Sequence, residues 1–203
     1  MLAKNIFKSF MLFLALSIAA IAAEVGSIAT DFTLTDSHGK THSLSNFKGK
    51  YVVLEWVNYG CPFVVKHYST HNMQMLQKQF TAQGVVWLSI CSSSAGKEGN
   101  MTAEEVNKKQ AEYDATPSAY LIDANGKVGK SYGAKTTPQM FVINPEGKII
   151  YAGAIDDKPS KDNADVKTAK NYVKEALNEA LAGKTVSVKT SKPYGCAVKY
   201  SDK

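Results

Sequence analysis

The chain has 203 residues, 44% of them hydrophobic and 21% charged, with 24 basic side chains against 18 acidic ones. That length suits one domain with a real core, and with only 3 cysteines the composition excludes a disordered, collagenous or disulfide-stapled chain. Every basic residue is lysine; without arginine the commonest specific contact to a base edge is missing, which points away from nucleic-acid recognition.

Residues 1–22 read as an export signal. Lys4 and Lys8 precede an apolar stretch from Ser9 to Ile21, which is too short to span a bilayer as a helix, and Ala20-Ile21-Ala22 supplies an A-x-A cleavage site. Cleavage leaves no stable membrane insertion and a periplasmic or secreted protein, in a compartment where disulfides persist.

Asp31 to Asp36 alternates apolar and polar residues and predicts a strand; Ser37 to Lys40 is a turn. Tyr51 to Val57 is β-branched and aromatic, the signature of a central buried strand. A sharp turn, Asn58-Tyr59-Gly60-Cys61-Pro62, follows, with Pro62 suited to the first position of a helix. The helix is expected over residues 63–82, with Val64, Tyr68, Met75, Leu76 and Phe80 on one side and Gly84 after it. Val85 to Ile90 is a second buried strand, and residues 91–100 form a Gly/Ser-rich loop. Thr102 and Glu105 make a capping box for a helix to about Tyr113. Short strands at 119–122 and 139–143 bracket a turn at 123–127 and a short helix at 127–132. Asn144 to Lys148 turns the chain into a return strand at 149–152, residues 156–165 form a charged insertion loop, and residues 164–182 form a helix ended by Gly183. Alternating strands and helices imply an α/β fold with a mixed sheet, a domain over 25–183 and a tail over 184–203. Neither G-x-G-x-x-G nor a P-loop is present, so no nucleotide cofactor is expected.

Cys61 is the foremost chemical candidate. Between a buried strand and a helix start, its sulfur meets the helix dipole and free N–H groups that favour the thiolate, the reactive form. Lys66, further along the helix, is placed to add positive charge. Thr137-Pro138 stands immediately before a strand, a setting in which a cis bond can occur. Cys91 ends a buried strand and reads as a small core residue, although a Cys61–Cys91 bond stays open. Cys196 lies alone in a polar tail. His67 and His71 share the i, i+4 spacing of a metal pair, but no third ligand follows at a motif spacing; they read as a solvated helix face, with no metal expected.

From Val25 to Ala154 the chain resembles the redoxin branch of the thioredoxin superfamily, the alkyl hydroperoxide reductase/thiol-specific antioxidant group, and its peroxiredoxin-like members in particular. The resemblance is carried by Asp31-Phe32-x-Leu34-x-Asp36, by Phe47-Lys48-Gly49-Lys50 leading into Val52-Val53-Leu54, by Trp56 to Val64 around Cys61, and by Tyr132-Gly133 with Thr137-Pro138-x-x-Phe141-Val142-Ile143. It implies a thioredoxin-like fold, with an N-terminal strand extension and a C-terminal tail, and a cis-proline at Pro138 beside Cys61. The departures are informative. No C-x-x-C is present, because Val64 and Asn58 stand three residues to either side of Cys61. Leu54 and Asn58 replace the Pro and Thr/Ser of the peroxiredoxin pattern, and there is no arginine to polarise a peroxide.

These residues imply an exported thiol oxidoreductase without a cofactor. Cys61 attacks a disulfide or peroxide, and Cys196 resolves the product from a flexible tail as a Cys61–Cys196 disulfide. Asn58 is expected to donate a hydrogen bond to Cys61, with Thr137 and Pro138 completing the site and Pro62, Phe63 and Lys66 facing the substrate. The partner is a protein thiol or disulfide, or a peroxide; nucleic acid is not among them. The missing arginine and Thr point away from efficient peroxide reduction, and the missing C-x-x-C from a thioredoxin-style reductase. The alternative is a non-catalytic binding module with a groove beside Pro138, in which the same disulfide staples the tail.

Overall fold

The computed structural model describes residues 23–201; the expected signal segment, residues 1–22, lies outside them. The Tyr51 to Val57 run forms β3 (Val52–Trp56), after β1 (Thr33–Asp36) and a short β2 (Thr41–Ser43). Then come α1 (Pro62–Ser69), α2 (Asn72–Thr81), β4 (Val86–Cys91), α3 (Ala103–Tyr113), β5 (Ala119–Ile122) and α4 (Lys127–Ser131). The chain closes with β6 (Thr136–Thr137), β7 (Gln139–Ile143), β8 (Ile149–Gly153), α5 (Tyr172–Leu181) and β9 (Cys196–Ala197). Seven strands form one sheet in the order β2-β1-β5-β4-β3-β7-β8. The β3–β4 and β4–β5 pairs are parallel and the others antiparallel, so the sheet is mixed as expected.

Side chains of β3 alternate between two cores, as the period of a strand requires. Val53 and Val57 face α1, α2 and α5. Val52, Leu54 and Trp56 face the opposite layer, with Tyr132 and Phe141. There Trp56 lies 5.4 Å from the Tyr132 ring and 5.3 Å from Phe141; each such aromatic pair adds about 0.5–1.5 kcal/mol beyond its buried area.

The single helix expected over residues 63–82 is two. Thr70 caps the end of α1 by donating both its N–H and its Oγ1 to the Lys66 carbonyl, at 3.2 Å and 2.7 Å, and His71 then takes the left-handed conformation at φ 57°. The break re-aims α2. Met73, Leu76 and Phe80 enter the core, and Met75, expected inside, is 60% exposed. The last helix is shorter than expected for a similar local reason. Residues Asn163–Lys167 form a 3-10 turn, and Asn171 caps α5 by accepting the Lys174 N–H at 2.8 Å. The capping box at Thr102 forms as the spacing predicts.

The tail is tied down rather than flexible. Ser191 Oγ accepts the Ala154 N–H at 2.9 Å, Val198 N–H donates to the Lys135 carbonyl at 3.0 Å, and Tyr200 Oη donates to the Ala134 carbonyl at 2.8 Å. Within it β9 pairs antiparallel with β6, Cys196 opposite Thr137.

Candidate active site

Cys61 is the N-cap of α1, with extended backbone angles, and Pro62 takes the first helical position. Turn chemistry holds it there: Cys61 N–H donates to the Asn58 carbonyl at 2.9 Å. Its side chain is fully buried, and Sγ lies 3.1 Å from the Thr137 carbonyl oxygen, to which the thiol donates. The Thr137–Pro138 peptide is cis. Thr137 is 76 residues from Cys61 in the chain, so the Cys-Pro turn and the Thr-Pro strand meet as the resemblance implies. Thr137 Oγ1 is buried and has no hydrogen-bond partner among the described residues.

Cys196 reaches the same place from the tail. All 3 cysteines are free thiols, and Cys196, opposite Thr137 in the β6–β9 pair, comes close enough to Cys61 to feel its sulfur. Burial, reinforced by the Cys61 sulfur, pushes the Cys196 thiol up to about 12. The approach depends on Gly195. Its φ is +124°, and a Cβ there would collide with the Thr137 carbonyl. Cys91 belongs elsewhere: its thiol donates to the Gly99 carbonyl at 3.3 Å, at the far side of the 91–100 loop.

Two expected roles are redirected. Asn58 is buried, but its side chain braces the turn: Oδ1 accepts the Gly60 N–H at 2.8 Å and Nδ2 donates to the Glu98 carbonyl at 3.3 Å. A side chain at Gly99 would collide with it, so this loop closes tightly over the Cys61 turn. Lys66, expected to charge the Cys61 environment and face substrate, is turned inward beneath the tail. It is 1% exposed, and its ammonium donates to the Lys158 carbonyl at 2.9 Å beside the Tyr194 ring. Burial lowers its pKa, against the pull of Asp156. Of the residues expected to face substrate, Pro62 is exposed and Phe63 is partly covered by Tyr194, with ring centroids 5.8 Å apart.

Sequence reasoning misses a buried group beside the site. His67, which reads as solvent-facing, is fully buried, and Asp156, placed in a charged loop, is 2% exposed. Both meet Tyr194 of the tail: Tyr194 Oη donates to Asp156 Oδ1 at 2.5 Å and lies 3.2 Å from His67 Nε2. No sequence spacing marks this cluster, because its members come from α1, the loop after β8 and the tail.

The model of the AhpC/TSA family matches residues 25–152, from the first turn through β8. The chain belongs to the AhpC/TSA family. Its Cys61 turn and its Pro138 both fall inside the matched residues. The thiol-disulfide oxidoreductase ResA of Bacillus subtilis is 31% identical over 127 residues, which are 62% of this chain and 64% of that one; the chain thus spans less than two thirds of that relative's length. The fold is thioredoxin-like. The thioredoxin domain of a thiol-disulfide oxidoreductase from Bacteroides vulgatus superposes with a TM-score of 0.52 and 26% identity, over 64% of this chain and 89% of that one. A hypothetical protein from Sinorhizobium meliloti 1021 is similar over 90% of this chain and 98% of its own, with a TM-score of 0.76 and 26% identity. That likeness runs well beyond the family match.

Proposed function

We propose that this AhpC/TSA protein is an exported thiol-disulfide oxidoreductase working through Cys61 and Cys196, with residues 25–183 as its redoxin domain and 1–22 as its signal. The observation that carries the reading is the docking of Cys196 against Cys61, a buried helix N-cap beside the cis-proline. The Cys61 thiolate attacks one sulfur of a partner disulfide, forming a mixed disulfide and releasing the partner's other sulfur as a thiolate. The Cys196 thiol gives up its proton and attacks the Cys61 sulfur. The partner leaves as a dithiol, and Cys61–Cys196 is left as the disulfide for another protein dithiol to reduce. Protein disulfides are favoured over peroxides because the lysine-only chain offers no forked cation to polarise a peroxide. Thr137 holds Cys61 through its carbonyl, and its hydroxyl is buried without a hydrogen-bond partner among the described residues. Pro138, Pro62 and Phe63 shape the approach to them. Asn58 supports the turn, and Lys66 acts through the tail rather than on substrate.

Peptide mapping under non-reducing conditions, before and after one equivalent of oxidised glutathione, tests this. The expected product is a Cys61–Cys196 disulfide that dithiothreitol reverses, with Cys91 free; Cys61→Ser abolishes disulfide reductase turnover, and Cys91→Ser retains it. A bond that forms but resists mild thiols makes it a staple and supports the binding module instead. Mixed disulfide accumulating on Cys61 with Cys196 intact moves the resolving thiol to another protein.

A further inference from the structure

Under the tail, on the flank of α1, a set of polar side chains converges in the dry interior: Lys66, His67, Asn72, Asp156 and Tyr194. Lys66, His67 and Asp156 are 1%, 0% and 2% exposed. Their bonds run in one direction. Asn72 Nδ2 sits 2.9 Å from His67 Nδ1, so that nitrogen accepts and the ring proton is on Nε2. Nε2 donates to Tyr194 Oη, and Tyr194 Oη donates to Asp156 Oδ1. Asp156 Oδ1 also takes the Lys158 N–H at 3.0 Å. Asp156 Oδ2 lies 3.8 Å from His67 Nε2 and has no hydrogen bond among the described residues. The pair is no ion pair: burial, aided by the Lys66 charge, drives the His67 pKa down to about 3, so the ring is neutral. The Tyr194 ring is held between Phe63 and the Lys66 ammonium, 5.8 Å and 5.4 Å from its centroid.

Three consecutive tail residues therefore each have a post on or beside the start of α1. Tyr194 is gripped by the cluster, Gly195 lies on the Thr137 carbonyl where no side chain fits, and Cys196 meets Cys61. We propose that Tyr194 is a positioning residue: its hydroxyl, held by Asp156 and His67, docks the tail in the register that presents Cys196 to Cys61. This rests on the two-cysteine reading above. A tail fixed two residues from the reacting sulfur raises the effective concentration of Cys196 without touching substrate.

The test compares Tyr194→Phe, which keeps the ring on Phe63 and removes the hydroxyl, with Tyr51→Phe, which removes a Tyr hydroxyl bonded to the Ala180 carbonyl of α5 rather than to the cluster around Tyr194. In glutathione buffers, Tyr194→Phe should weaken the Cys61–Cys196 disulfide about tenfold, raising its potential by about 30 mV for this two-electron couple. Tyr51→Phe should leave it in place. A second readout needs no disulfide. In the reduced protein, hydrogen exchange of the Val198 and Ser94 amides, bonded to Lys135 and Lys199 carbonyls, should quicken about tenfold in Tyr194→Phe alone. A Tyr194→Phe that matches the wild type in amide exchange, or a Tyr51→Phe that shifts it equally, overturns the latch. A wild type that forms no Cys61–Cys196 disulfide at any glutathione ratio sinks the catalytic reading, while the exchange data still decide the docking.

Discussion

Cys61 and Cys196 are neighbours but differ in what surrounds their sulfurs. Cys61 sits at a helix N-cap with its sulfur against the Thr137 carbonyl. Cys196 is carried in by a strand and has its thiol raised by burial and by Cys61. A raised thiol pKa keeps the proton on at neutral pH, so Cys196 reacts more slowly with an external electrophile than an ordinary cysteine does. Site-resolved iodoacetamide labelling of the reduced protein should show Cys196 modification still climbing at pH 10. An ordinary cysteine levels off above its value of about 8.5. A plateau near that ordinary value would mean the tail is undocked in solution.

The break between α1 and α2 decides which side chains reach the active-site flank. Thr70 ends α1 by holding the Lys66 carbonyl, and the left-handed His71 turns the chain. With Val64 and Tyr68 on the preceding helix and Met73, Leu76 and Phe80 on the next, both segments bury apolar faces that one straight helix could not. His71 is exposed, and its conformation costs a Cβ-bearing residue about 1 kcal/mol, which glycine escapes although it loses more chain entropy on folding. His71→Gly should therefore gain about 0.5 kcal/mol and raise Tm by roughly 1–2 °C in a chain of this size. Calorimetry showing a fall in Tm would mean that the imidazole contributes contacts that stabilise the turn.

Across the whole molecule, Glu55 ties the layers together. It projects from the face of β3 that otherwise carries Val53 and Val57, and it is fully buried. Its carboxyl accepts from Tyr68 of α1 at 2.8 Å, from Trp87 and Ser89 of β4 at 2.8 Å each, and from Gln77 of α2 at 3.4 Å. Desolvation outweighs these donors and raises its pKa above the ordinary 4.5. A carboxyl with a raised folded pKa stabilises the fold fully below its unfolded value. That contribution fades as pH climbs from about 4.5 through the folded value. Glu55→Gln lacks this loss, so the stability of the variant relative to wild type should increase with pH over that window in urea titrations. Parallel curves from pH 4 to 8 would show that the four donors hold the carboxylate as well as water does.

Local chemistry makes much of this protein legible in its amino-acid order. The β-branched run at β3, the capping box at Thr102, the Pro62 helix start and the Thr-Pro before β7 each act through neighbouring residues, and they locate the Cys61 turn and Pro138. Periodicity misassigns the α2 face because a Thr hydroxyl and one left-handed residue outweigh it. Lys66 reads as a charge for Cys61 and substrate, and His67 and Asp156 as solvated polar groups, since pattern reasoning assigns a polar side chain to water unless a partner is in view. Their partners lie 92, 127 and 38 residues away in sequence. By itself the sequence determined the sheet, the Cys61 turn and the family, because those follow from propensity, period and motif. Only the tertiary structure decided that the polar tail is a docked strap and that its Tyr194 and Cys196 reach α1. Such closure depends on long-range burial that desolvates these polar groups together and pairs most of their atoms there.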